Sequence, residues 1–105
     1  MMKFQFKTSL SKAEFQAIIG MIVRACRMQP LNIKHYFMIE TLLKVEKRTI
    51  YRVLKLKNNK LSLNATETYV ILHMLLDARD LYGPFEYQLC MRVIGEIHQC
   101  FTSLK

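Results

Sequence analysis

The sequence predicts a mainly α-helical fold: a four-helix pseudo-repeat of two helix-Pro-helix units, with a small β-hairpin around Asn58-Asn59 and a candidate N-terminal strand. Three observations predict it. Only 3 Gly and 2 Pro interrupt the chain, so long helical runs are unbroken. Apolar residues recur at helical spacing on both sides of Pro30 and of Pro84. Finally, "SLSKAEFQAIIGMIVRA" (9–25) recurs as "SLNATETYVILHMLLDA" (62–78), an offset of 53 that matches Ser9/Ser62, Leu10/Leu63, Glu14/Glu67, Ile18/Ile71, Met21/Met74 and Ala25/Ala78. The 105 residues are read as one domain, with units at about 3–50 and 56–104.

Each element has its own warrant. "KFQFK" (3–7) alternates polar and apolar residues and suits a strand through Phe4 and Phe6. The first helix is expected at about 11–28, with Phe15, Ile18, Ile19, Ile22 and Cys26 on its apolar face. Ser11 and Glu14 stand at capping-box spacing, and Leu10 can staple onto Phe15. The second helix begins just after Pro30 and is expected to turn Tyr36, Ile39 and Leu43 inward. "LKLKNNKLSL" (54–63) alternates about Asn58-Asn59, a pair that tolerates a tight turn, which suggests a hairpin. "TIYRVLKL" fits a helix as well, so the competing reading continues the second helix through Leu56. Asn64 with Glu67 repeats the capping box, and the third helix, about 65–81, is apolar almost all round and should be the most buried. "YGP" (82–84) ends it, and Pro84 opens a fourth helix whose stripe is Cys90, Val93, Ile94, Ile97, Phe101 and Leu104. Arg92, Glu96 and Gln99 are expected outside.

Charge is concentrated in the middle of the chain. Of the formal +8, residues 44–60 supply +6, from seven Lys/Arg against Glu46 alone. Such a field attracts polyanions or acidic partners by steering and counterion release. The candidate contact residues are Lys44, Lys47, Arg48, Tyr51, Arg52, Lys55, Lys57 and Lys60.

No catalytic, metal or cofactor pattern accompanies this charge. His35, His73 and His98 lie on three different helices without HxxxH or HExxH spacing, and no Walker A, GxGxxG or GxSxG occurs. Tyr69, His73 and Asp77 form one helix-face row, which reads as a local hydrogen-bonding set. Cys26, Cys90 and Cys100 are odd in number and lack CxxC spacing; buried, reduced thiols and a cytoplasmic setting are expected. The N-terminus lacks the apolar core of a secretory signal, and no apolar run reaches a membrane span.

"LLKVEKRTIYRVLKLK" (42–57) resembles helix-turn-helix sequences of the phage-repressor type. The likeness rests on Leu43 and Val45 before the turn and on Thr49, Ile50 and Val53 after it. Glu40 stands where those motifs carry a small residue, and Lys44 where they carry a permissive one. The resemblance implies that Lys47, Arg48, Tyr51 and Arg52 face bases and phosphates. "LKLKNNKLSLNATETYVILHMLL" followed by "YGPFEYQLCMRVIGEIHQ" also resembles short helical proteins of gut anaerobic bacteria, often from mobile-element regions. That likeness implies the hairpin at 54–63 and no particular activity.

The functional expectation is a non-enzymatic protein-interaction or accessory module, without cofactor and outside the membrane. Surplus apolar residues on the first two helices (Ala17, Met21, Met28, Phe37, Met38, Leu42) favour a homodimer. The alternative is a DNA-binding regulator, helix-turn-helix or winged-helix-like, that uses residues 44–60.

Overall fold

Both helix starts read from the repeat have the geometry that their spacing requires. In the computed structural model, which describes residues 4–56 and 59–103, Ser11 Oγ accepts from the Glu14 amide at 3.1 Å and Glu14 accepts from the Ser11 amide at 2.8 Å. Asn64 and Glu67 repeat this at 2.9 and 3.0 Å. These caps open α1 (Lys12–Cys26) and α3 (Ala65–Ala78). After each comes a second helix, α2 (Ile33–Tyr51) behind the Asn32 cap and α4 (Pro84–Thr102) with Pro84 in its first turn. Before each lies a short strand, β1 (Phe6–Ser9) and β2 (Lys60–Leu63). The chain is therefore strand–helix–helix, twice over. No helix among the described residues is long and apolar enough to cross a membrane.

The structure is mainly helical with one small antiparallel sheet, as the sequence predicts, but the strands pair differently. β2 pairs with β1, in the register Phe6↔Leu63, Lys7↔Ser62, Thr8↔Leu61 and Ser9↔Lys60. Residues 52–56 form a π-helical turn that continues α2, so the competing reading of this stretch holds for them; the turn expected at Asn58 lies outside the described residues. The physical reason is burial. Leu61 and Leu63 must face the core, and the apolar side of β1, Phe6 and Thr8, completes that inward surface. Leu54, which a hairpin would have faced with Leu63, is instead exposed.

The register carries the repeat into three dimensions. The offset that relates Ser9 to Ser62 also relates Thr8 to Leu61, and those two residues are partners in the ladder. Lys7 pairs with Ser62, and Ser9 with Lys60, its equivalents exchanged. An antiparallel pair centred on equivalent residues has a local twofold axis through its middle, so the two strands exchange about it.

Beneath the sheet, the core gathers equivalent residues from both units. Ile18 and Ile71, Met21 and Met74, and Ile22 and Leu75 are all buried, together with Val45, Val93 and Ile97. α1 packs on α2 and α3 on α4, while α2 also packs on α3 and α4 reaches β1 across the sheet. Ile19 and Cys26 are only half-buried, as is Cys100, which corrects the expectation of fully buried thiols for two of the three; Cys90 is buried. Along α2 the inward stripe is Ile39, Leu42, Val45 and Thr49. Tyr36 and Leu43, expected inside, are 48% and 37% exposed. α2 carries apolar residues on two adjacent faces, and the packing of α1 and α3 against it decides which one is covered. On α4, Cys90, Val93, Ile94 and Ile97 are buried as expected, but Phe101 is exposed and stacks on Phe4 at 4.8 Å. Leu104 lies outside the described residues.

Candidate nucleic-acid interface

The alternation that buries Phe6, Thr8, Leu61 and Leu63 points their neighbours the other way. Gln5, Lys7, Ser9 and Lys60 are exposed, Ser62 is half-buried, and Gln5 Nε2 donates to Ser62 Oγ at 3.0 Å across the two strands. The outward face is thus polar, basic and close to twofold: Lys7 and Lys60 are equivalents, as are Ser9 and Ser62. The inward face is held by apolar packing and by Thr8 Oγ1, which donates to Glu96 at 2.7 Å. A two-stranded ribbon fixed from beneath presents its outward side chains with little freedom to turn away.

The basic stretch lies beside this ribbon. Lys44, Lys47 and Tyr51 are exposed on α2, at spacing that sets them opposite Leu42, Val45 and Thr49. Lys55 is exposed on the following turn. Arg52 lines a cleft of about 310 Å³ with Gln5, Ser62 and Asn64, so it borders the ribbon directly. Lys57 lies outside the described residues, and Lys60 opens β2 itself. Of the eight sequence candidates, the structure brings Arg48, Arg52 and Lys60 to the ribbon and spreads Lys44, Lys47, Tyr51 and Lys55 along the helix and turn that lead to it.

Arg48 is also tied into the fold. Its guanidinium makes two parallel bonds to the Glu67 carboxylate, at 2.7 and 2.8 Å, and a third to the Ser62 carbonyl at 2.9 Å. Glu67 in turn caps α3. One carboxylate therefore joins three elements: α2 through Arg48, β2 through the shared guanidinium, and α3 through its own cap. Burial pushes the Glu67 carboxyl up; the bonds from Arg48 and the Asn64 amide, with the charges of Arg48 and Lys44, outweigh it and leave the group below its ordinary value of 4.5. The bond to Glu67 holds the Arg48 guanidinium above its ordinary value, against burial.

The equivalent acid in the other unit is used in the same way. Glu14 caps α1 and pairs with Arg92 of α4 at 3.2 Å. The Ser11 amide is the main cause that holds its carboxyl low. Each capping-box Glu is thus also the tie to a helix of the opposite unit. Capping-box spacing is visible in sequence, but nothing in sequence names the distant arginine.

The other candidate chemistry stays local. Tyr69 and His73 meet on α3 with ring centroids 4.4 Å apart and planes tilted by 55°, and no three His, Cys, Asp or Glu gather into a metal site among the described residues. Burial and the neighbouring Glu46 push the Cys26 thiol up to about 11, and burial raises Cys90 as well, so neither is poised as a thiolate. Comparison of the chain with protein-family models, with curated proteins and with solved structures finds no significant match.

The outward residues Gln5, Lys7, Ser9 and Ser62 were not singled out by sequence reasoning. The signal was the repeat itself, which aligns "KTSL" with "KLSL": two equivalent strands can pair with each other about a twofold axis.

Proposed function

We propose that this chain binds duplex DNA, laying the β1–β2 ribbon into the major groove while basic residues of α2 contact the phosphates. One observation carries this reading: a two-stranded ribbon, buried on one face, turns Gln5, Lys7, Ser9, Lys60 and Ser62 to the other. The major groove admits a two-stranded β-ribbon, and lysine can donate to guanine O6 and N7 while glutamine can bond adenine N6 and N7. The local twofold of the ribbon matches the dyad of a short inverted repeat, so each lysine would meet the same base on opposite strands. Arg52, Lys55, Lys44 and Lys47 supply the charge that registers the ribbon, and contacts of this kind carry affinity rather than sequence information. The net charge of +8 favours the encounter.

The test is fluorescence anisotropy of a labelled duplex at about 50 and 200 mM salt. Binding at micromolar or tighter concentration is expected at the lower salt, with log K falling by about 0.9 per phosphate neutralised for each unit of log salt. Lys55→Ala should weaken all duplexes alike, whereas Lys7→Ala with Gln5→Ala should also flatten the difference between sequences. No binding at the lower salt overturns the proposal. Arg48→Ala is a poor probe, because Arg48 holds Glu67 and Ser62.

A second reading, a protein-interaction module that pairs with a partner or with itself, is supported by a different surface. Leu31, Ile33, Tyr36 and Phe37 are all exposed around the start of α2. A contiguous apolar patch of that kind marks interaction sites in soluble proteins. Under this reading the duplex titration is flat at both salt concentrations.

A further inference from the structure

A groove of about 430 Å³ opens where the two units meet at the far ends of α1 and α3. Its floor is built from equivalent residues of both units, Met21 with Met74 and Ala25 with Ala78, and Met38 and Leu42 of α2 form one wall. The two alanines create the depression, since larger side chains there would fill it. Methionine thioethers adapt to varied apolar shapes. A concavity of this size, apolar with a few convergent polar groups, is the usual form of a small-molecule site.

The rim has a definite sign. Arg24 and Lys34 lie on it with Asp77 as the single carboxylate of the lining. Arg24 sits over the Tyr82 ring at 5.7 Å, and neither Arg24 nor Lys34 has a carboxylate within salt-bridge distance among the described residues. His35 adds a donor. Its Nδ1 accepts from the Leu31 amide at 3.0 Å, so a neutral His35 carries its proton on Nε2.

From cationic donors above an apolar floor, we infer that this groove binds an amphipathic carboxylate, a free acid with a medium-length hydrocarbon chain. The chain lies over Met21, Met38 and Met74, and the carboxylate meets Arg24, Lys34 and His35. The site is separate from the ribbon, and the inference stands whether or not the chain binds DNA.

Three probes with the same chain and different heads test this on the full-length protein: decanoate, decanol and decylamine, each below micelle formation. Isothermal titration should show one saturable site for decanoate, at least about tenfold tighter than for decylamine, with decanol between them. Arg24→Gln with Lys34→Gln, both at the surface, should weaken decanoate about tenfold and leave decanol unchanged. Ala25→Phe should abolish binding of all three while circular dichroism shows the helices intact. Equal affinity for the three heads, no saturation, or decanoate binding indifferent to the charge changes would overturn the inference. So would light scattering that shows a dimer whose contact excludes decanoate, since the groove would then belong to a second copy. Sedimentation with phosphatidylglycerol vesicles without saturable decanoate binding would assign the face to a bilayer instead, and equally overturn it.

Discussion

Replacing Glu67 with alanine is expected to lower the unfolding free energy by roughly 2–4 kcal/mol, the largest effect of any polar substitution in the chain. The Glu67 side chain is 9% exposed and its arginine partner 38%, so the change strands a half-buried guanidinium and removes a cap together. Loss of the cap alone is worth about 1 kcal/mol. Removing one partner of a buried pair costs about 3–5 kcal/mol, and the exposure of Arg48 places this pair below the top of that range. Glu67→Gln keeps an oxygen for the Asn64 amide and loses the charge, so an intermediate loss is expected. Glu14→Ala should cost less, about 1 kcal/mol, because Glu14 and Arg92 are 21% and 43% exposed. Urea denaturation with linear extrapolation separates the three.

The same carboxylate gives the stability a pH dependence of fixed sign. The folded state holds Glu67 below its ordinary value of 4.5, so the unfolded chain binds its proton more readily. Its contribution is complete above about pH 4.5 and is lost as pH falls through the folded value. Glu14 acts in the same direction. Wild-type stability should therefore fall on acidification below this point, and in Glu67→Ala that fall should be shallower.

Ile22→Ala and Leu75→Ala should each cost about 2–5 kcal/mol, through lost transfer energy and the cavity left behind. The two residues are equivalents under the repeat, and both have no exposed surface. A domain of this size is stable by about 5–15 kcal/mol, so the double variant should lose most of its stability and unfold at much lower urea than either single variant. Far-ultraviolet circular dichroism during a urea titration measures it. Leu31→Ala, at 83% exposure, is the control and should change stability by under about 0.5 kcal/mol. A small effect at one of Ile22 and Leu75 and a large one at the other would contradict the equivalence of the two units in the core.

Much of this was legible in the residues, and the limits have physical causes. Capping boxes are local, so Ser11–Glu14 and Asn64–Glu67 could be read from spacing alone. "KLSL" could be read as a strand because alternation is local as well, but alternation fixes the faces of a strand and not its partner. The nearby "VLKLK" was the cheaper partner by loop length, whereas burial of Leu61 and Leu63 against Phe6 selected the distant one. On α2 the residues Tyr36, Ile39, Leu42, Leu43 and Val45 supply two overlapping stripes, and only the packing of α1 and α3 chooses between them. Arg48 shows the clearest limit. In sequence it is one of seven basic residues of the middle stretch, and the Glu67 carboxylate that pairs with it is nineteen positions away.

The ribbon is the centre of the functional account, and amide chemical shifts observe it directly. A nitrogen–proton correlation spectrum is recorded as a short inverted-repeat duplex is added to labelled protein. The largest changes are expected on Gln5–Ser9 and Lys60–Ser62, in both strands together, with smaller ones on Lys44–Lys55. Changes confined to α2 with the ribbon silent, or no changes at all, would contradict it.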